Sequence, residues 1–213
     1  MVKIISFLSN DVFELSSNTY VAIDSFSNCV IIDPSRNDNK VRDYILSNNL
    51  KPKAILLTHS HFDHIRGVDS LVNYFHIPFY VNENDVDGLT NPKINCSASY
   101  HIKSSIIVKN KPILVKDYET LHVLQEDILV ISTPFHTIGS CCYYLIDSKA
   151  IFSGDSLFEG AIGRDDLPSS VPNKRKESIS KLMALKDDIK VYPGHGNFTY
   201  IGVERNNNPF IKD

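Results

Sequence analysis

The sequence predicts an α/β protein in which β-sheets are covered by helices. Short apolar runs rich in β-branched residues recur along the chain, stretches between some of them repeat apolar residues at helical spacing, and that mixture buries a sheet face against a helix stripe. The runs that read as strands are Lys3 to Phe7, Tyr20 to Ile23, Cys29 to Ile32, Ala54 to Leu57, Phe79 to Val81, Ile128 to Ser132, Cys142 to Ile146, Ala150 to Phe152 and Lys190 to Tyr192. Helical patterns cover Asn39 to Ser47, with Val41, Ile45 and Leu46 on one face, Ile65 to Phe75, with Val68, Leu71, Val72 and Phe75, and Lys174 to Leu185, with Ile179, Leu182 and Met183. The early strands follow one another without a helix, as in a meander, whereas the later ones alternate with helices or long loops. Asn91 to Pro112 follows neither period and reads as a loop.

With 213 residues, of which 42% are hydrophobic, the chain can bury a substantial core, and one domain over 1–213 is expected. No repeat, low-complexity tract or linker interrupts it. The net charge of -3 is spread along the chain, which excludes the basic stripe that a nucleic-acid binder uses to neutralise phosphates. The apolar run at Met1 to Leu8 gives way to Ser9-Asn10-Asp11, too soon for a signal-peptide core or a membrane span, so a cytoplasmic protein without a membrane partner is expected. Oligomeric state has no signal in the sequence. Cysteines at 29, 96, 141 and 142 form neither a disulfide framework nor a CxxC knuckle and read as reduced thiols. The neighbours Cys141 and Cys142 should point to opposite faces of a strand.

The chemistry concentrates at strand ends. Thr58-His59-Ser60-His61-Phe62-Asp63-His64 is an HxHxDH cluster between an apolar strand and a helix, placing four potential ligands within six positions. Imidazole and carboxylate are the ligands that borderline cations such as zinc prefer. The competing reading, a polar loop in which Asp63 caps the helix, does not account for three histidines. His136 in Thr133-Pro134-Phe135-His136-Thr137, Asp155 in Ser153-Gly154-Asp155-Ser156 and His195 in Tyr192-Pro193-Gly194-His195-Gly196 each directly follow an apolar run. Each is weak alone, but in sheets covered by helices sites gather beyond the carboxyl ends of strands, so the four motifs predict one pocket. Gly154, Gly194 and Gly196 suit a backbone that turns sharply close to a metal. Arg164 beside Asp165 and Asp166 reads as a structural ion pair rather than a substrate clamp. Tyr143 and Tyr144 read as core, and Glu204 and Arg205 as a terminal helical turn that buttresses the His195 loop.

These residues resemble the ligand pattern of the metallo-β-lactamase superfamily, and the match covers nearly the whole chain. The resemblance implies a four-layer αββα sandwich. It also implies that His59, His61 and His136 hold one metal, that Asp63, His64 and His195 hold a second, and that Asp155 bridges them. His76, His101 and His122 are then left outside the site. Gly154-Asp155-Ser156-Leu157-Phe158, Ile162-Gly163-Arg164-Asp165-Asp166, Gly194-His195-Gly196 and Thr199 to Phe210 are similar, more narrowly, to the short glyoxalase II-like hydrolases. That likeness implies two divalent metals, zinc first with iron or manganese also accommodated. It further implies a small-molecule thioester substrate such as S-D-lactoylglutathione, and catalytic roles for Asp63 and Asp155 in hydrolysis by metal-activated water. A related mononuclear iron persulfide dioxygenase would use His59, His136 and Asp155, and a non-catalytic metal-binding protein could retain the same fold. Phe135 stands where the family usually has Gly and Ile138 where Pro is common, which implies a narrower or more apolar first-metal pocket. The chain ends soon after Pro209, without the helical extension that supplies glutathione contacts in the long enzymes.

Overall fold

Side-chain alternation along the strands sets the architecture of the computed structural model, which describes residues 1–8, 16–36, 38–99 and 104–211. Strands β1 (Lys3–Phe7), β2 (Thr19–Ile23) and β3 (Asn28–Ile32) form the antiparallel meander; β4 (Lys51–Leu56), β5 (Phe79–Asn82) and β6 (Ile113–Val115) then add in parallel, giving a six-stranded sheet in chain order. In the second sheet β7 (Thr120–Leu121), β8 (Ile128–Ser132), β9 (Cys141–Leu145) and β10 (Ala150–Gly154) run antiparallel. There β11 (Lys190–Pro193) joins β10 in parallel and β12 (Thr199–Tyr200) closes the edge.

Alternate residues sort into distinct cores, as the period of two requires. Tyr20, Ala22, Val30, Ile32, Ala54 and Leu56 face the second sheet, meeting Val130, Cys141, Tyr143, Ala150 and Phe152. Their neighbours Val21, Ile31, Ile55 and Leu57 face outward, where Val41 and Ile45 of α1 (Asp38–Ser47) and Val68 and Leu71 of α3 (Val68–Phe75) cover them. On the far side Ile131, Cys142, Ile151 and Val191 pack under Leu182 of α4 (Arg175–Met183) and Ile201 of α5 (Ile201–Asn207). The result is the expected αββα order of layers. Cys141 and Cys142 divide between two cores, and burial raises the thiols of Cys29 and Cys142 to about 12 and that of Cys96 to about 11. No helix among the described residues is long and apolar enough to cross a membrane.

Several expectations need correction. Leu46 is 49% exposed, so α1 buries only a narrow stripe. The helix expected from Ile65 is two, α2 (Phe62–Ile65) and α3, because the chain steps aside at Gly67 to donate its N–H to Pro34 O at 2.7 Å. Strands β6, β7 and β12 are only two or three residues long and owe their form to the neighbours they pair with, which no window of sequence contains. Residues 91–99 make turns that pack on the HxHxDH segment, where Phe62 N donates to Asn95 O at 2.9 Å.

The topology brings the ligand-bearing loops to one rim. Ser132, at the end of β8, pairs with Cys141 at the start of β9, and Cys141 N donates to Thr58 O at 2.9 Å, just beyond β4. Parallel pairing ends β10 and β11 side by side, where Gly194 N reaches Gly154 O at 2.8 Å.

Candidate metal centre

All seven residues singled out by strand-end motifs meet at this rim. His59 and His61 leave β4 before α2 begins, with His61 as the residue preceding the helix and no side-chain cap, so Asp63 is not a capping residue. His61 Nδ1 lies 3.1 Å from His59 Nε2 and 2.9 Å from His136 Nε2. The other nitrogen of each ring has its own partner. His136 Nδ1 donates to Arg164 O at 2.8 Å, His59 Nδ1 meets Thr58 Oγ1 at 3.1 Å, and His61 Nε2 meets Ser169 Oγ at 2.9 Å. The Arg164 carbonyl can only accept, which leaves the inward nitrogen of His136 as a lone pair. Thr58 gives its own proton to Asp33 Oδ2 at 2.6 Å, so it accepts from His59 and fixes that tautomer likewise. Two inward lone pairs thus face His61 Nδ1, and the three nitrogens together form a buried trio that one cation could hold.

A second group lies beside the first. His64 Nε2 is 3.3 Å from Asp155 Oδ1, His195 Nε2 is 3.2 Å from Asp63 Oδ2, and Asp155 Oδ2 is 3.4 Å from His136 Nε2 and 3.5 Å from His195 Nε2. Asp155 therefore faces both groups. His64 Nε2 and Asp155 Oδ1 are fully buried and face each other at 3.3 Å without hydrogen-bond geometry, an arrangement that a metal beside both would satisfy. Three overlapping sets, His59/His61/His136, His59/His64/Asp155 and Asp63/His64/His195, each bring their ligand atoms within 4.8 Å of one another. The donor set fits two divalent ions with mixed imidazole and carboxylate ligation.

The electrostatics divide the same way. Burial, reinforced by His64 and His61, pushes His59 well below the usual histidine range, and burial beside His136 lowers His61 to about 3. Burial pulls His64 and His195 down as well, but the carboxylates of Asp63 and Asp155 outweigh it and raise both. Asp155, despite its burial, is held well below the usual carboxylate range by His195, His64 and His136. His59 and His61 are thus neutral imidazoles, while His64 and His195 form an ion-pair cluster with Asp63 and Asp155.

Residues that the sequence reading did not name hold this geometry. Asp33, buried at the end of β3, accepts from Thr58 N at 2.8 Å, from Thr58 Oγ1 and from His64 Nδ1 at 2.9 Å, so one carboxylate orients histidines of both groups. Its signal was present, since Asp33-Pro34 also follows directly on an apolar strand. Asp85, from the turn after β5, ties the two histidine loops together. Asn18 and Tyr20 reach from the first sheet to the His195 loop, with Tyr20 Oη donating to Pro193 O at 2.6 Å and Asn18 Nδ2 to Gly196 O at 3.0 Å. Gly194, by contrast, was expected to sit close to a metal, and it lies where a Cβ would come 2.2 Å from Asp155 Oδ1, a close approach that only glycine allows.

Other expectations resolve locally. Arg164 pairs with Asp166 through Nε at 2.6 Å, as a structural ion pair would, while Asp165 pairs with Arg175. Tyr143 is fully buried and donates to Leu57 O at 2.9 Å. Glu204 is buried, but it accepts from Gly160 N at 2.9 Å and Thr199 Oγ1 at 2.6 Å, and Arg205 serves Met183 O and Leu185 O. Helix α5 thus secures the loop after Asp155, the end of α4 and, through Thr199, the strand onto which the His195 loop closes. Phe135 is fully buried, so its ring does not line an open pocket, whereas Ile138 is exposed. His76 caps α3 with a left-handed backbone, His122 pairs with Asp127 on the surface, and His101 lies outside the described residues. The His195 side chain is 40% exposed, with the Phe158 ring packed edge-on at 6.1 Å between centroids, so the centre opens on that side.

Comparison with known proteins agrees with this geometry. A family model described as the metallo-beta-lactamase superfamily matches residues 12–195. The "Probable metallo-hydrolase YqgX" of Bacillus subtilis is 36% identical over 200 residues, covering 92% of this chain and 93% of the relative. Among solved structures, the BLEG-1 B3 metallo-beta-lactamase superposes with a TM-score of 0.91 at 33% identity over 100% of both chains. TTHA1623, in a di-iron-bound form, does so with a TM-score of 0.81 at 31% identity over 92% of this chain and 96% of that one. The chain belongs to the metallo-β-lactamase superfamily.

Proposed function

We propose that this chain is a dinuclear metal-dependent hydrolase of small acyl-thiols, with S-D-lactoylglutathione as the first substrate to test. The observation that carries this reading is the convergence of inward-facing imidazole nitrogens at 2.9 and 3.1 Å beside the Asp155 carboxylate, which also faces His64 and His195. His59, His61 and His136 would hold one ion, Asp63, His64 and His195 the other, and Asp155 both. Zinc is the first choice, and iron or manganese suits the same ligands. When bound, such ions supply Lewis acidity, lowering the pKa of water to about 7 and polarising a carbonyl oxygen.

The protein's own contribution is placement and exclusion of water. The Asp33–Thr58–His59 chain, the Asp33–His64 contact, Ser169 and Arg164 O hold four imidazoles in fixed orientations. With the inward nitrogen of each on a metal, those four rings would have no proton to pass to a departing group. That favours a leaving group that departs as an anion near neutral pH, which a thiol with a pKa of about 8.5 does and an alcohol or amine does not. The glyoxalase II-like motifs point the same way. The dispersed charge favours a small molecule over a nucleic acid, and buried reduced thiols suit the cytoplasm.

The test is hydrolysis of S-D-lactoylglutathione by protein stripped with a chelator and reloaded with zinc, iron or manganese. Turnover that vanishes on stripping and returns on loading is expected. Two tightly bound ions without turnover on any acyl-thiol would reject the substrate class, and a single iron with oxygen uptake would replace the reading with persulfide dioxygenation.

Metal retention should depend on pH unevenly. His61 at about 3 does not compete with a metal for protons near neutrality, whereas the raised His64 and His195 do. Each must lose its proton before it can coordinate, so affinity at their subsite falls as pH drops through their raised values. Equilibrium dialysis from pH 8 to 6 should show one ion lost well before the other. Simultaneous loss of both would contradict this division.

A further inference from the structure

Asp85 is a buried carboxylate, 2% exposed, in the 3-10 turn Glu83–Leu89 that follows β5. Its Oδ2 accepts from Ser60 N at 2.7 Å and from Thr137 Oγ1 at 3.0 Å, and its Oδ1 accepts from Gly139 N at 2.9 Å. Ser60 lies between His59 and His61, and Thr137 directly follows His136. These donors belong to loops from opposite sheets, one leaving β4 and the other leaving β8. A charged acceptor shared by N–H and O–H donors in a dry setting is a strong tie, and moving any donor moves an imidazole one residue away. The fit is close, since a Cβ on Gly139 would lie 2.5 Å from the Asp85 Cβ. Asn82, where β5 ends, reinforces the link by donating to Ser132 Oγ at 3.1 Å across the sheets.

The carboxylate also sets the polarity of the second loop. Because Thr137 gives its proton to Asp85, it must accept from Ser140 Oγ at 2.8 Å, and Ser140 Oγ in turn accepts from Thr137 N at 3.0 Å. The turn after His136 therefore has a single consistent pattern of hydrogen bonds. By contrast, Asp85 touches no residue of the Asp63/His64/His195 group in the described hydrogen bonds.

We propose that Asp85 is a positioning residue that sets the spacing of His59, His61 and His136, and thereby selectively governs the metal affinity of that subsite. The inference rests on the dinuclear reading above. An Asp85→Asn substitution tests it, because no orientation of the amide satisfies all the donors: an NH2 must face either Ser60 N–H or Gly139 N–H. Loss of such an outer partner weakens metal binding by about 10- to 100-fold.

The experiment is zinc binding by equilibrium dialysis of the full chain in two backgrounds. In His195→Ala, which leaves the three-histidine subsite intact, adding Asp85→Asn should lower affinity by about 10- to 100-fold. In His59→Ala, which leaves the other subsite, the same addition should change affinity by less than about threefold, within the additivity expected of separate sites. Thr137→Val, which removes one donor and retains the carboxylate, should shift the first affinity in the same direction and covers the case in which Asp85→Asn does not fold. Equal losses in both backgrounds would mark Asp85 as a general structural residue and overturn the proposal, as would no loss in either. If the unmutated chain binds no zinc, iron or manganese, the dinuclear reading falls and this inference with it; two ions bound with Asp85→Asn silent would remove only the inference.

Discussion

Asp155→Ala should abolish turnover, lowering kcat/KM by about 10³-fold or more, equivalent to about 4 kcal/mol of transition-state stabilisation. Asp155 is the carboxylate within 3.5 Å of His64, His136 and His195, so its loss damages both ligand groups at once. Asp33 cannot replace it, because both its oxygens are occupied by Thr58 and His64. The fold should survive, since Asp155 belongs to none of the apolar cores. Added zinc should accordingly raise the melting temperature of the parent protein much more than that of the variant, because a ligand stabilises in proportion to its affinity for the folded state. His59→Ala should cost a comparable amount of activity by taking one lone pair from the first group. Either variant retaining activity within about tenfold of the parent would refute the assignment of these residues to the catalytic centre.

What the sequence made legible was chemistry placed directly at the ends of strongly patterned strands. His59 to His64, His136, Asp155 and His195 each follow an apolar run with few intervening residues, so their convergence could be inferred from strand direction alone. The pattern of two also separated Cys141 from Cys142 correctly. The supporting residues were harder to read for a physical reason. Asp85 acts through Ser60, Thr137 and Gly139, which are 25 to 54 positions away in sequence, and its own surroundings, Glu83-Asn84-Asp85, look like any polar turn. Tyr20 belongs to a strand whose apolar pattern suggested only packing and Asn18 lies just before it, yet they cross to Pro193 at the end of β11 and Gly196 beyond it. Strands β6, β7 and β12 have too few residues to show a period. Helix α5 was legible as an element but only partly by its contacts, because Glu204 and Arg205 reach the Gly160 loop and the end of α4 as well as Thr199, where the His195 loop ends.

Adding a single methyl group at Gly194 should be nearly as damaging as removing Asp155. A Cβ there would meet Asp155 Oδ1 at 2.2 Å and His64 Cε1 at 2.7 Å, far inside van der Waals contact. The backbone cannot retreat, because Gly194 N donates to Gly154 O at 2.8 Å and Gly194 O accepts from Asn18 N at 2.7 Å, which pins the residue between the two sheets. The side chains must therefore yield by about 1 Å, a displacement that costs on the order of 10²-fold in a catalytic constellation. Gly194→Ala should retain its secondary structure, lose one of two ions and lose about 10²-fold in kcat/KM. Gly196→Ala is the matched comparison. Gly196 has a left-handed φ of 74° but open space where a Cβ would go, so the change strains the backbone without touching a ligand. That strain costs about 1–2 kcal/mol of stability and should leave both ions bound. Metal stoichiometry, melting temperature and kcat/KM measured on the pair separate steric intrusion from a general disturbance of the loop. Equal metal loss in the two variants would show that the His195 turn, and not the approach of Gly194 to Asp155, is what the site requires.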